Sequence, residues 1–295
     1  MRTSISAATA AASASAEPQR EFEFSDTDFR TLAALAYEHA GIALTENKHN
    51  LVYSRISRRL RALGLSSFRQ YREYLGGPDG VAETERFINS ISTNHTRFFR
   101  EPHHFQHFAQ HVACAFAKRA REPAAGRLRI WSAGCSSGEE PYSIAAVLRK
   151  EIADFSRCDV RILATDIDTE IVAKAARGQY PATILDDVAD RYRSQFQGEE
   201  RPDDSTILVP DPLRALVTFR ALNLTKPWPF GGPFDAIFCR NVMIYFDAAT
   251  KATLVERFTK MLRTGGWLYI GHSESLLGGH PGLSLVGRTI YRRQA

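Results

Sequence analysis

The apolar positions of this chain change rhythm near residue 127. Before that point they recur at helical spacing. Phe29, Leu32, Leu35 and Ala36 share one face of a helix that Ser25 or Asp26 can cap and Gly41 ends. Val52, Ile56, Leu60 and Leu63 form the apolar stripe of a second amphipathic helix over 48–63. Its opposite face carries Arg55, Arg58, Arg59 and Arg61. Gly64 and Gly76-Gly77-Pro78 punctuate the region, and another helix is predicted over 81–91. Pro102 is predicted to open a long helix, because proline is tolerated in a first turn.

After residue 127 short apolar runs alternate with helical patterns. Strands are predicted at 128–133, 160–164, 217–221, 234–238 and 267–270. Helices are predicted at 142–152, 169–177 and 248–262, the last stopping at Gly265-Gly266. Segments 283–286 and 289–292 flank Gly287-Arg288 as a terminal hairpin. Such alternation implies an α/β domain with a mostly parallel sheet covered on both faces. About forty residues between 178 and 216 are too long for a loop. They hold a Tyr180-Pro181 turn, a charged helix around 186–196 and Ile207-Leu208-Val209, read as an inserted small β-meander. The chain is therefore divided into a tail over 1–20, a helical domain over 21–92, a linker and connecting helix over 93–126, and a sheet domain over 127–295.

Composition narrows the class. The 295 residues suit two domains, and 44% hydrophobic content is ordinary for a soluble protein. No apolar run approaches the roughly 20 residues that span a bilayer, so no membrane insertion is expected. Four scattered cysteines without a CxxC pair argue against zinc and fit a reducing cytoplasm. The Ala/Ser/Thr-rich start lacks the apolar block of a signal peptide and reads as a disordered tail. The net charge of +5 is unevenly spread: 47–72 holds seven Lys/Arg and no Asp or Glu. That face suits solvent, nucleic acid or an acidic protein. Nucleic-acid surfaces add aromatic platforms, and only Tyr53 is nearby, so an acidic helical partner is favoured.

The candidate chemistry gathers at predicted strand ends, where ligands bind in open α/β sheets. Trp131 to Ser143, WSAGCSSGEEPYS, reads as strand, glycine turn and helix start. Phosphate sites place bare N–H groups and basic residues there. Here the turn is followed by Glu139 and Glu140 and no Lys, which suits a ligand offering hydroxyls and positive charge, such as S-adenosylmethionine. Glu140 is the expected ligand, and Glu139 favours the helix N-terminus. Asp166, at the end of the second strand, is placed to accept hydrogen bonds from ribose hydroxyls, while Asp168 or Thr169 caps the next helix. Its distance along the chain from Gly134 exceeds the spacing of about 20 residues in dinucleotide sites. Asn223 and Asn241 follow two further strands.

Other features are weaker. Arg100, among Phe98, Phe99 and Pro102, can be aimed at a carboxylate or form a surface ion pair; Asn94 and Thr96 can be plain caps. His103, His107 and His111 have i, i+4 spacing, but no acid or Cys in the pattern completes a metal site, and none is expected. Cys135 has no evident base and reads as a small turn residue.

Together these motifs resemble the CheR-type chemoreceptor glutamate methyltransferases. The likeness rests on LVYSRISRRLRALGL (51–65), NHTRFFRE (94–101), WSAGCSSGEEPYS, ATDIDTE (164–170), FDAIFCRNVMIYF (234–246) and GHSES (271–275), from Phe24 to about Tyr291. It implies an all-α N-terminal domain before a Rossmann-like S-adenosylmethionine-dependent methyltransferase domain with a small inserted β-subdomain. It implies that Asn94, Thr96, Arg100, Glu140, Asp166, Asn223, Leu224, Arg240 and Asn241 contact S-adenosylmethionine or its product S-adenosylhomocysteine. Arg100 and Tyr245 would serve catalysis, Tyr245 on the acceptor side, and Arg55, Arg58, Arg59 and Arg61 would meet the acidic cytoplasmic helices of chemoreceptors. The likeness further implies a cytoplasmic monomer recruited to membrane receptor arrays. Some members also grip a receptor C-terminal pentapeptide through a short glycine-containing loop. Here 197–205 is a few residues longer with one Gly, so the pentapeptide-independent kind is expected. The alternatives are a nucleic-acid methyltransferase, for which Asn241-Val242-Met243-Ile244-Tyr245 lacks the usual Pro-Pro-aromatic signature, and a non-catalytic S-adenosylmethionine-binding protein.

Overall fold

The structure is a computed structural model that describes residues 20–119, 126–155, 158–197, 205–276 and 279–295. The expected tail and most of the 197–205 stretch fall outside the described residues.

The first helix, α1 (Asp26–Ala40), opens with a capping box. Ser25 accepts the Asp28 N–H, and the Asp28 carboxylate accepts the Ser25 N–H. It ends at Gly41 in the left-handed region at φ +70°, where a Cβ would lie 2.6 Å from Thr225 Cγ2 of the following domain. After a 3-10 turn come α2 (His49–Leu63), α3 (Phe68–Leu75) and α4 (Gly80–Ile91). Their core is built from the residues at helical spacing, including Leu32, Ala36, Val52, Ile56, Leu60 and Phe87. Burying each large aliphatic or Phe side chain contributes about 1.5–3 kcal/mol. The long helix predicted from Pro102 forms as α5 (Pro102–Phe108), one π turn (Ala109–Ala113) and α6 (Cys114–Arg119).

The sheet domain then runs β1 (Arg127–Ala133), α7 (Glu139–Glu151), β2 (Asp159–Asp166) and α8 (Thr169–Arg177). An insertion follows: β3 (Gln179–Pro181), α9 (Asp190–Arg193), β4 (Thr206–Leu208) and α10 (Asp211–Arg214). The chain returns through β5 (Val217–Ala221), β6 (Phe234–Cys239), α11 (Ala248–Met261), β7 (Leu262–Ile270), β8 (Leu283–Gly287) and β9 (Ile290–Arg293). Seven strands pair in the order β5-β2-β1-β6-β7-β9-β8, parallel as far as β7. Alternation along β1 serves both faces: Leu128 and Ile130 join the core with α7, and Trp131 and Ala133 join that with α11. The chain fills one side of β1 with β2 and β5, then crosses to β6 and β7 on the other. That reversal opens a crevice above the carboxyl ends of β1 and β6.

Three expectations need correction. The helix after the glycine turn starts at Glu139, before Tyr142, because Gly138 at φ +97° lets the turn close early and Pro141 sits where no intrahelical donor is needed. The helix predicted over 248–262 ends at Met261, but the strand predicted at 267–270 begins at Leu262 and runs through Gly265-Gly266, a register shift against β6 absorbing them. The insertion is not a meander among the described residues. It is one antiparallel pair, β3 with β4, because Val188, Tyr192 and Phe196 recur at helical spacing and pack as short turns on the main core.

Candidate active site

The floor of the crevice is made by the ends of β1 and β2. The N–H groups of Gly134 and Cys135 both donate to the Thr165 carbonyl, at 2.8 and 2.9 Å, tying the glycine turn to β2. Gly134 has φ +82°, and a Cβ there would stand 2.2 Å from Val242 Cγ2, so only glycine fits. The Asp166 carboxylate accepts the Ser136 N–H at 2.8 Å and the Asp168 N–H at 3.1 Å. Burial raises its pKa, with the backbone hydrogen bonds opposing. Asp168 caps α8 and accepts from Asn94 Nδ2 at 2.7 Å, which brings the segment after α4 to the cleft.

All ten sequence-predicted cofactor and catalytic positions, from Asn94 to Tyr245, line a single cleft of about 990 Å³, counting the part open to solvent. They arrive from two directions. Asp166, Asn223, Leu224, Arg240 and Asn241 come from strand ends and the residues just after them, and Glu140 from the first turn of α7. Asn94, Thr96 and Arg100 come from the segment joining the domains, and Tyr245 from a 3-10 turn, Met243–Tyr245. The N-terminal domain closes the cleft through Ala40 and Ile42. It is held there by the Ala43 N–H on the Tyr245 carbonyl at 2.8 Å and by Tyr37 on Asp247 at 2.6 Å.

The polar groups differ in how they are employed. Asn223 donates its amide N–H to the His39 carbonyl at 2.5 Å and accepts at its oxygen from the Thr225 N–H and hydroxyl, so it ties the two domains. Glu140 accepts from Ser132 at 2.7 Å and from Arg240 at 3.0 Å. Burial raises the Glu140 pKa, and Arg240 pulls against that. Arg100 donates to the His95 carbonyl at 2.9 Å with one nitrogen, leaving the rest of its fork for a ligand. Glu139 accepts from Ser137 Oγ at the start of α7, in keeping with a helix-end role.

Two contributors escaped the sequence reading. Ser136 Oγ is buried in the cleft wall with no hydrogen-bond partner. Glu274, in GHSES, accepts the N–H groups of Asn241 at 2.9 Å, Ile244 at 3.2 Å and Gly271 at 2.6 Å, clamping the loop that carries Asn241 and Tyr245. An acid just beyond a buried strand was the available signal for the second; nothing in the sequence marked the first.

The four arginines of α2 do not act as one face. Arg59 makes a bidentate pair with Glu83 at 2.9 and 2.7 Å, and Tyr71 donates to the same carboxylate, so Arg59 belongs to the domain interior. Arg55 donates to the Ser90 and Ser92 carbonyls and Thr93 Oγ1. Arg61 pairs with Glu21, and Arg58 contacts its own helix at the Ser54 carbonyl.

His103, His107 and His111 do not converge. His107 meets the Tyr269 hydroxyl at 3.0 Å and stacks on His111, while His103 approaches the Arg288 carbonyl. Glu101 does come beside His103 and His104, a carboxylate the sequence reading left out, and Arg240 Nη2 lies 3.3 Å from it. Cys135 is buried, and burial pushes its thiol well above its ordinary range, which disfavours the thiolate that a nucleophile needs.

The donor set fits S-adenosylmethionine. Asp166 is a carboxylate with backbone-anchored oxygens, Ser136 Oγ has no partner within the protein, and Leu222, Leu224 and Val242 supply an apolar slot. Family models point the same way: the CheR methyltransferase all-alpha domain matches residues 27–92, and the CheR methyltransferase SAM binding domain matches residues 94–291. The chain belongs to the CheR methyltransferase family. Its relatives include a probable chemotaxis protein methyltransferase of Rhizobium etli, 45% identical over 88% of this chain and 96% of that protein. The chemotaxis protein methyltransferases of Salmonella typhimurium and Escherichia coli are 41% and 40% identical over 90% of this chain, covering 90% and 91% of those proteins. The family carries S-adenosylmethionine as its cofactor. Among the described residues no helix is long and apolar enough to cross a membrane.

Proposed function

We propose that this protein transfers the methyl group of S-adenosylmethionine to glutamate side chains on the cytoplasmic helices of chemoreceptors, forming methyl esters. The observation that carries the reading is the continuity of cleft and basic helix. Arg55 on α2 holds the Ser90 and Ser92 carbonyls, and the next residues, Thr93 to Arg97, wall the cofactor cleft. Tyr245 lines the same cleft. An acidic helix drawn to α2 therefore delivers its carboxylates to the cleft mouth.

The cofactor supplies a sulfonium-borne methyl group. The attacking glutamate is ionised near neutrality, since its reference pKa is about 4.3, and needs no general base. This chain's work is alignment and exclusion of water, which can supply up to roughly 7–11 kcal/mol. Asp166 and Ser136 take the ribose. Arg100 holds the cofactor carboxylate; gripping the attacking oxygens instead would blunt them. Tyr245 orients the acceptor. Arg58 and Arg61 do the docking, with Arg55 linking docking to the cleft. In the same reading the enzyme works as a cytoplasmic monomer at receptor arrays, without a pentapeptide tether.

The test is transfer from methyl-labelled cofactor to a chemoreceptor cytoplasmic fragment, followed by mild base. Methyl esters release labelled methanol. Base-stable label, label on nucleic acid, or no label overturns the proposal.

A further inference from the structure

Arg100 is presented by a strained turn. The residues on either side of it, Phe99 and Glu101, both have left-handed backbones, at φ +50° and +57°. Such non-glycine conformations persist only where the surroundings over-determine them. What holds this turn is visible around Glu101. Its side chain is 10% exposed. Oε1 accepts the His272 N–H at 3.2 Å and approaches His272 Nδ1 at 2.8 Å, reaching the turn after β7. Oε2 lies 3.3 Å from Arg240 Nη2 and 3.3 Å from His104 Nδ1. Burial pushes the Glu101 carboxyl up, but the Arg240 charge and the His272 hydrogen bonds hold it at about 2, so it stays ionised. Burial, with Arg240 and His103, holds His104 at about 3 and therefore neutral.

Arg240 is the pivot. Its guanidinium spans Glu101 and Glu140 and donates through Nη2 to the Arg100 carbonyl. It also lies over the Phe105 ring at 5.6 Å. Arg240 thus matches two buried carboxylates while pinning the backbone of the strained turn. Without the Glu101 charge it keeps Glu140 as its one anionic partner here, and nothing charged draws Nη2 toward the turn.

We propose that Glu101 is a positioning residue of the cleft, fixing through Arg240 the turn that presents Arg100 and the Glu140 carboxylate beside it. The role rests on the methyltransferase reading and deepens it: Glu101 shapes cofactor binding without touching the cofactor.

Glu101→Gln keeps size and removes charge. The expected result is a rise of about tenfold or more in the Kd for S-adenosylhomocysteine by calorimetry and in the KM for S-adenosylmethionine, with kcat at saturating cofactor within about threefold. A merely structural defect moves the other way, lowering kcat as folded molecules are lost while KM stays. In an Arg240→Lys background, Glu101→Gln should change the Kd by less than about twofold, because its path to the cleft is already cut. Affinity of Glu101→Gln within about twofold of the parent, a kcat loss with unchanged KM, or full additivity with Arg240→Lys overturns the proposal. If Arg240→Lys fails to fold, the Glu101→Gln binding and kinetics decide alone. A parent protein that binds neither nucleoside contradicts the methyltransferase reading instead, so the two failures are distinguishable.

Discussion

The cofactor cleft and the arginine face of α2 were both visible as patterns, yet the structure treats them differently. Residues as far apart in sequence as Asn94 and Tyr245 converge on one cleft. Four arginines within two turns of one helix divide among an interior ion pair, a backbone tie, a surface pair and a near-free side chain. The difference has a physical source. In a parallel sheet, topology alone delivers every strand end to the same edge, so position along the chain fixes position in space. On a helix, spacing fixes only direction, and a neighbour decides what each side chain does. Glu83, buried on α4, claims Arg59, and no periodicity announces it.

The largest expected effect breaks the supposed uniformity of the arginine face. Arg59→Ala takes the bidentate partner from buried Glu83, leaving Tyr71 and the more distant, exposed Arg86 at 3.9 Å, and should cost about 3–5 kcal/mol in urea unfolding. A loss near zero would return Arg59 to the docking surface. Next comes the cleft. Asp166→Asn removes a charged acceptor and should weaken S-adenosylhomocysteine binding by about 1.5–3 kcal/mol, roughly tenfold to a hundredfold. Arg100→Ala should also weaken it by about tenfold or more, and unchanged affinity by calorimetry would rule out the carboxylate-holding role.

The third expectation concerns acid. Burial lowers the pKa of His104 to about 3 and of His107 to about 4, from 6.5 when unfolded. The unfolded chain then binds protons that the folded one refuses. Their stabilisation is complete above pH 6.5 and is lost as pH falls through the window down to those folded values. Melting temperature should drop by about 3 °C or more between roughly pH 7 and pH 5, and less in His107→Phe. An identical slope in that variant would contradict the assignment. The smallest effect completes the comparison: Arg58→Ala should leave stability within about 0.5 kcal/mol while raising the KM for an acidic receptor fragment about two- to fivefold.

Much of the fold was legible because its signals are local. The Ser25 cap, the Gly41 stop, Asp168 at the start of α8 and the strand boundaries of β5 need only neighbouring residues. The cleft was legible where strand ends supply it. What stayed hidden depends on distant partners. Asn223 stands where a ligand residue is expected, but its amide is committed to the His39 carbonyl. Ser136 is one of three buried serines over 132–137, with Ser132 and Ser137, and only the three-dimensional partners tell them apart: Ser132 donates to Glu140 and Ser137 to Glu139, while the Ser136 oxygen has none. Glu274 acts through three backbone N–H groups that fold together only when β6 and β7 pair.

In the proposed function, a charge-steered docking face and a pre-formed cofactor cleft serve one reaction. Raising salt from roughly 0.05 to 0.5 M shrinks the screening length to a few ångströms, which attacks the exposed arginines and spares the buried cleft. The direct measurement is methyl-ester formation on a chemoreceptor fragment across that range, with S-adenosylhomocysteine affinity measured in parallel. The KM for the fragment should rise about tenfold while nucleoside affinity stays within about twofold. Equal salt dependence of both, or a salt-independent KM for the fragment, would contradict it.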